Sequence, residues 1–192
     1  MNPIVLASRS PRRRQLLEML GIPFRVVAPD VDETRRGSEL PEHYVTRLAQ
    51  LKARTVAQRE ASHVVLAADT TVVLRGRIFE KPATPEEAVE MLHRLQGRKH
   101  QVMTAVAVAQ DGRVEHALDV TDVTFRPLSD AQIAAYVATG EPLDKAGAYA
   151  IQGKGAALVE GIRGDFFGVM GLPLRLALDL LERFGVAYRF TR

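Results

Sequence analysis

The stretch HVVLAADTTVVL, from His63 to Leu74, constrains the fold more than any other part of the chain. It is apolar over nearly all its length, yet it carries a carboxylate, Asp69. Such a run reads as a strongly apolar strand, with the start of a hairpin partner near Arg75-Gly76. Before and after it, apolar runs alternate with helical periodicity, and that alternation predicts an α/β domain. The 192 residues read as one such domain, 1–192, because no internal repeat, low-complexity tract or long linker divides them.

Shorter signals place the other elements. Ile4 to Ala7 reads as a short buried strand and Phe24 to Ala28 as a second. Ser10-Pro11 supplies an N-cap and a first-turn proline for a helix ending near Gly21. Further helices are predicted over Pro41 to about Arg59, Pro85 to Leu95, Asp130 to Thr139 and Leu172 to Phe184. Gln101 to Ala109 and Val114 to Phe125 read as a hairpin turning at Asp111-Gly112.

Composition closes several routes. The chain has no cysteine, which excludes disulfides, thiolate zinc sites and cysteine nucleophiles, and fits a cytoplasmic protein. A net charge of +3 is small for this length and argues against a nucleic-acid partner. No stretch approaches the roughly 20 apolar residues of a membrane span. Pro11 to Arg14 interrupts the first apolar run, so no signal peptide is expected. Neither a G-x-x-x-x-G-K-[ST] loop nor a G-x-S-x-G elbow occurs, and Gly153-Lys154-Gly155 lacks the rest of the phosphate-loop pattern. The histidines show no paired metal-binding spacing.

The residues that look misplaced are charged. Arg9, Arg12, Arg13 and Arg14 crowd a helix start, where the backbone already carries partial positive charge. Arg13 shares the face of Leu16 and Leu17, and Arg12 borders it. They read either as snorkelling or salt-bridged arginines, or as an anion site where Ser8, backbone N–H groups and two guanidiniums converge. Lys52 stands in the apolar stripe Val45, Leu48, Ala49 and Val56, as a snorkelling stem or as an ammonium offered to an anion. Asp69 ends the run VVLAAD, and strand-terminal carboxylates often face ligand clefts in α/β sheets; its other reading is a cap or turn residue. The loop Asp30-Val31-Asp32-Glu33 is a solvated acidic segment or a source of oxygen ligands for Mg²⁺ or Mn²⁺. Lys81 precedes a proline, which biases its backbone to an extended form and projects its side chain.

Four segments in order then resemble the Maf family of nucleoside triphosphate pyrophosphatases: LASRSPRRRQLLEMLGI; AADTTVV with EKPATPEEAVEML; LQGRKHQVMTAVAV; and EPLDKAGAYAIQGKGAALVEGIRGDFFGVMGLPL. The resemblance implies hydrolysis between the α- and β-phosphates, giving a nucleoside monophosphate and pyrophosphate, with a divalent metal. It implies a mixed, twisted sheet of the Maf and ITPase type, flanked by helices, with two lobes around a central cleft. Ser8, Arg12, Arg13, Lys52 and Lys81 match substrate-binding positions. Asp69 matches the catalytic aspartate, and Glu33 with Asp69 matches the metal site. The N-terminal lobe would contribute Ser8 to Arg13, Glu33 and Lys52; Asp69 and Lys81 would form the cleft floor.

DKAGAYAIQGKG, Asp144 to Gly155, is similar to the branch of the family that prefers dTTP and UTP. There Arg12, Thr70 and Gln152 match positions associated with base discrimination, and a glutamine amide can pair with the edge of uracil or thymine. The loop 144–155 would close over the base. Four positions depart from the usual pattern: Glu80, Ala150 and Thr71, which stand for glycine, glycine and valine, and Gly168, which stands for asparagine. The resemblance also implies a homodimer and an association with arrest of division and septum formation. Hydrolysis of another nucleotide, such as 7-methyl-GTP, and nucleotide binding without hydrolysis are the rival readings.

Overall fold

The structure is a computed structural model and describes residues 3–190. The apolar run becomes the spine of a seven-stranded mixed sheet: β3 covers Val65–Leu74 and is buried along most of its length. Beside it lie β1 (Ile4–Leu6) and β2 (Phe24–Val26), both parallel, giving the edge order β2-β1-β3. On the other side β5 (Lys99–Gln110) and β6 (Arg113–Phe125) form the expected long hairpin, followed by the edge strand β7 (Val159–Arg163). β4 (Arg77–Phe79) is the short hairpin partner expected after Arg75-Gly76.

Side chains alternate across β3, and the two faces meet different layers. Val65, Ala67 and Val73 pack with Val45, Ala49 and Val56 of α2 (Pro41–Ala57). Leu66 and Ala68, on the opposite face, pack with Leu16 and Leu17 of α1 (Pro11–Met19) and with the terminal helix α6 (Leu174–Arg183). Val72, on that same face but farther along, joins a separate cluster with α3 (Pro85–Leu95) and α4 (Asp130–Val137). Two packed lobes therefore share one face of the sheet.

Between them the sheet has a notch. β1 pairs with β3 only at Val65 and Leu66, and β4 meets the same edge only from Val72 onward. Residues 67–71 keep β5 on one side and have no strand on the other. Asp69 is thus not strand-terminal, as its place after the apolar run suggests. It lies in the middle of β3, buried but lining a cleft where the neighbouring strands stop short.

Two elements carry no sequence signal. β7 is exposed at four of its five positions, so it lacks a hydrophobic pattern, and α5 (Phe166–Met170) is only five residues long with a glycine inside. Asp165 caps α5 by accepting the Gly168 N–H at 2.8 Å. α6 starts two residues later than expected, after Pro173. No helix among the described residues is long and apolar enough to cross a membrane.

Candidate active site

The notch opens into a cleft of about 880 Å³, lined by all eight residues singled out in the sequence as catalytic or substrate-binding, together with Glu33. It falls within the size range of small-molecule sites. Each group arrives by a simple local device. Ser8 and the α1 N-terminus follow the end of β1; Lys52 projects from the buried stripe of α2; Asp69 and Thr70 leave opposite faces of β3.

On the α2 face, the Lys52 ammonium donates to Asp69 Oδ1 at 2.7 Å and lies 3.0 Å from Glu33 Oε1. Lys52 is 6% exposed and Asp69 8%. Burial raises the Asp69 pKa; Lys52 and then Arg13 oppose that rise, while Glu33 adds to it. The lysine is therefore no snorkeller. It is an internal cation held between two carboxylates.

Across the strand, Arg13 is fixed by three hydrogen bonds: Nε to the Gly171 carbonyl at 2.7 Å, Nη1 to Ser8 Oγ at 3.3 Å and Nη2 to Thr70 Oγ1 at 3.1 Å. Thr70 Oγ1 lies 3.0 Å from Thr104 Oγ1, which donates to the Gly168 carbonyl at 2.8 Å. A carbonyl only accepts, so the single Thr104 proton goes to Gly168 and the Thr70 hydroxyl donates to Thr104. Arg13, Thr70, Thr104 and Gly168 form one directed chain, of the kind in which each bond polarises the next. Arg12 is half-buried, with Asp144 Oδ2 4.0 Å away, while Arg9 pairs instead with exposed Asp30 at 2.6 Å. Lys81 lines the cleft but is exposed, at the rim rather than on the expected floor.

Four contributors were not picked out as site residues by the sequence. Tyr44 donates its hydroxyl to Glu80 Oε1 at 3.0 Å and faces the Glu33 carbonyl at 3.1 Å, so Glu80, noted only as a departure, lines the cleft with Glu33 and Asp69. Burial first, then Glu80, raises the Tyr44 pKa and keeps the phenol protonated. Thr104 had a visible signal, a hydroxyl inside the apolar strand MTAVAVA, and is fully buried. Thr71 lies on the Asp69 face of β3, and its buried Oγ1 has no hydrogen-bond partner.

These groups bear on a divalent metal. Among the described residues no cluster of three or more His, Cys, Asp or Glu is arranged around a common point. Asp69, Glu33 and Glu80 nevertheless offer hard oxygen donors in the lining of the cleft, which also includes Thr71 with its orphaned hydroxyl. Mg²⁺ commonly takes one or two carboxylates and completes its shell with water and substrate phosphates. The residues present fit that pattern, with part of the shell left to the substrate.

A family model described as Maf-like protein matches residues 3–184. This chain belongs to the Maf family. A dTTP/UTP pyrophosphatase from Halalkalibacterium halodurans is 47% identical over 99% of this chain and 100% of its own length. One of the same name from Yersinia pestis is 51% identical over 100% of this chain and 98% of its own. Among solved structures, the Staphylococcus aureus Ham1 protein superposes with a TM-score of 0.51 at 18% identity, covering 95% of this chain and 97% of its own, a likeness of fold.

One departure of this Maf chain has a structural cause. A Cβ at Gly168 would collide with the Asp119 carboxylate, which is held by Thr121 at 2.9 Å, so glycine and Asp119 fill one space together. The Gly168 carbonyl in turn anchors the Thr104 chain. Thr104→Val is expected to cost roughly 1–3 kcal/mol, because it leaves the buried Gly168 carbonyl and the Thr70 hydroxyl without their partner. Chemical denaturation measures this; an unchanged midpoint would show that the chain bears no load.

Proposed function

We propose that this chain hydrolyses dTTP and UTP to the nucleoside monophosphate and pyrophosphate, working as one domain over 1–192. The observation that carries the reading is the clustering of Arg12, Arg13, Lys52 and Lys81 with Asp69 in a single cleft, in a chain about half identical over its full length to relatives bearing that activity in their names.

A nucleoside triphosphate brings close to four negative charges, and the cleft meets them with two kinds of cation. Arg13 is already oriented by Gly171, Ser8 and Thr70, so little side-chain freedom is lost when a phosphate arrives. Lys81, exposed at the rim, remains to follow the β- and γ-phosphates as pyrophosphate leaves. Water attacks the α-phosphorus, the bond to the bridging oxygen breaks, and positioned cations stabilise the charge that moves onto the leaving group. Asp69 orients or deprotonates that water, and Lys52 holds the carboxylate in place. Glu33 and Asp69 would hold a Mg²⁺ or Mn²⁺, which would supply Lewis-acid polarisation of phosphoryl oxygens. Gln152, with Arg12 and Thr70, would read the pyrimidine edge. The reading places the protein in the cytoplasm, beside the nucleotide pool, without nucleic acid or membrane as partners, and as a homodimer.

Pyrophosphate release from dTTP, UTP, CTP, GTP and 7-methyl-GTP, with Mg²⁺, Mn²⁺ or EDTA, tests it. Release is expected mainly from dTTP and UTP, with a loss of at least about 100-fold in EDTA. A purine preference would keep the chemistry and discard the base assignment. No release from folded protein would leave nucleotide binding alone.

A further inference from the structure

The glycine-rich stretch Gly153-Lys154-Gly155 looks in sequence like a fragment of a phosphate loop, yet its backbone amides are already occupied. Glu141 Oε1 accepts the Gly155 N–H at 2.8 Å, and Oε2 accepts the Lys154 N–H at 3.1 Å. Consecutive amides turned towards one point form a nest that favours an anion. Here the anion is a side chain of the protein itself.

The surrounding contacts show a built arrangement. Tyr136 donates its hydroxyl to Glu141 Oε1 at 2.9 Å, and the same hydroxyl accepts the Ala150 N–H at 3.2 Å. Lys145 donates to the Glu141 carbonyl at 2.7 Å. Gly153 has a φ of +64°, and a Cβ there would approach Glu141 Oε2 to 2.7 Å. At Gly155 a Cβ would strike the Ala150 carbonyl and the Tyr136 hydroxyl. Gly153 is thus required by how closely the loop wraps the carboxylate, and Gly155 by how closely it packs on Ala150 and Tyr136. Burial works against ionisation of Glu141, but the Gly155 and Lys154 amides, Tyr136 and Lys145 outweigh it and hold its pKa below the ordinary value.

Gln152 lies between the two fixed points. Ala150, two residues before it, is tied to Tyr136; Lys154 and Gly155, just after it, are tied to Glu141. Gln152 itself lines the cleft. We propose that the Glu141 carboxylate is a positioning residue for base recognition, an internal anion that closes the 150–155 loop around itself and so fixes the amide of Gln152 for a uracil or thymine edge. The inference rests on the base assignment of the preceding section. It separates the phosphate end of the cleft, set by Arg13 and Lys52, from the loop that carries Gln152, which is held by a different network.

The test uses the full chain with Glu141→Ala, Glu141→Gln, Gln152→Ala and the Glu141→Ala/Gln152→Ala pair. Two readouts are independent of turnover: amide hydrogen exchange over residues 150–155, and dissociation constants for the α,β-methylene analogues of UTP and CTP. Glu141→Ala is expected to speed exchange of those amides by about tenfold or more and to reduce the preference for uridine by about tenfold. Glu141→Gln should fall between, because one oxygen can still accept while the new amide faces a backbone N–H; it also serves if the alanine variant folds poorly. The double variant should be no worse than Gln152→Ala alone, as expected for residues acting through one contact. Unchanged exchange, or a uridine preference kept in Glu141→Ala but lost in Gln152→Ala, overturns the proposal. So does a native protein that prefers neither base. A native protein that prefers uridine yet hydrolyses neither nucleotide would sink the pyrophosphatase reading alone.

Discussion

Asp69→Asn is expected to lower kcat for dTTP by about 10³-fold, within the range that a positioned acid–base group contributes, while the protein stays folded. The surroundings of Asp69 lead to this asymmetry. The carboxylate is the one acid on β3 at the notch, it is buried, and it touches the Lys52 ammonium at 2.7 Å. Removing one member of a buried pair outright commonly costs about 3–5 kcal/mol, because the other charge is left uncompensated. Asparagine avoids most of that cost. Its carbonyl oxygen can still accept from Lys52, and Glu33 remains 3.0 Å from the same ammonium. What asparagine lacks is the negative charge that takes a proton or ligates a metal. Asp69→Ala therefore serves as the contrast, losing stability as well as turnover. Thermal unfolding with single-turnover pyrophosphate release measures both; an asparagine variant within tenfold of the native rate would move Asp69 out of the chemistry.

How far the sequence revealed this site depends on which physical signal each residue sends. Lys52 and Asp69 interrupt apolar patterns, and a charge where packing wants leucine is visible without a structure. Their mutual contact is not, since α2 and β3 are neighbours only through the sheet's layering. The same limit hid the true position of Asp69. An apolar run that continues past an acid through Thr70 and Thr71 gives no sign of where adjoining strands stop, and the notch is a property of β1 and β4. Tyr44 and Glu80 sent a different signal, or none: an aromatic residue on an amphipathic helix and an acid in a loop are ordinary. β7 and α5 escaped notice because exposed edge strands and single-turn helices bury too little to leave a period. The core was the easier part. The hairpin β5–β6, the helix α3 and the spine β3 all follow from hydrophobic periodicity and turn residues that agree with one another.

The four arginines around the start of the first helix divide by geometry in a way their spacing only outlined, and Arg13→Lys isolates what geometry adds. The charge is conserved, so any loss reports the fork of the guanidinium rather than its electrostatics. A guanidinium has five N–H donors. In Arg13 three are engaged by Gly171, Ser8 and Thr70, which leaves one on each terminal nitrogen for an arriving anion. Two parallel N–H groups suit two oxygens of one phosphate. An ammonium cannot hold a carbonyl and two hydroxyls on different elements and still present a paired face to the cleft. Arg13→Lys should therefore lower kcat/KM for dTTP by about 100-fold, mostly through KM, consistent with losing about 3 kcal/mol of charge-assisted hydrogen bonding. The purely structural alternative predicts otherwise: an arginine that only ties α1 to Gly171 would lose unfolding free energy with KM unchanged. Steady-state kinetics beside denaturant unfolding separates the two, and an unaltered KM in a destabilised variant would reduce Arg13 to a strut.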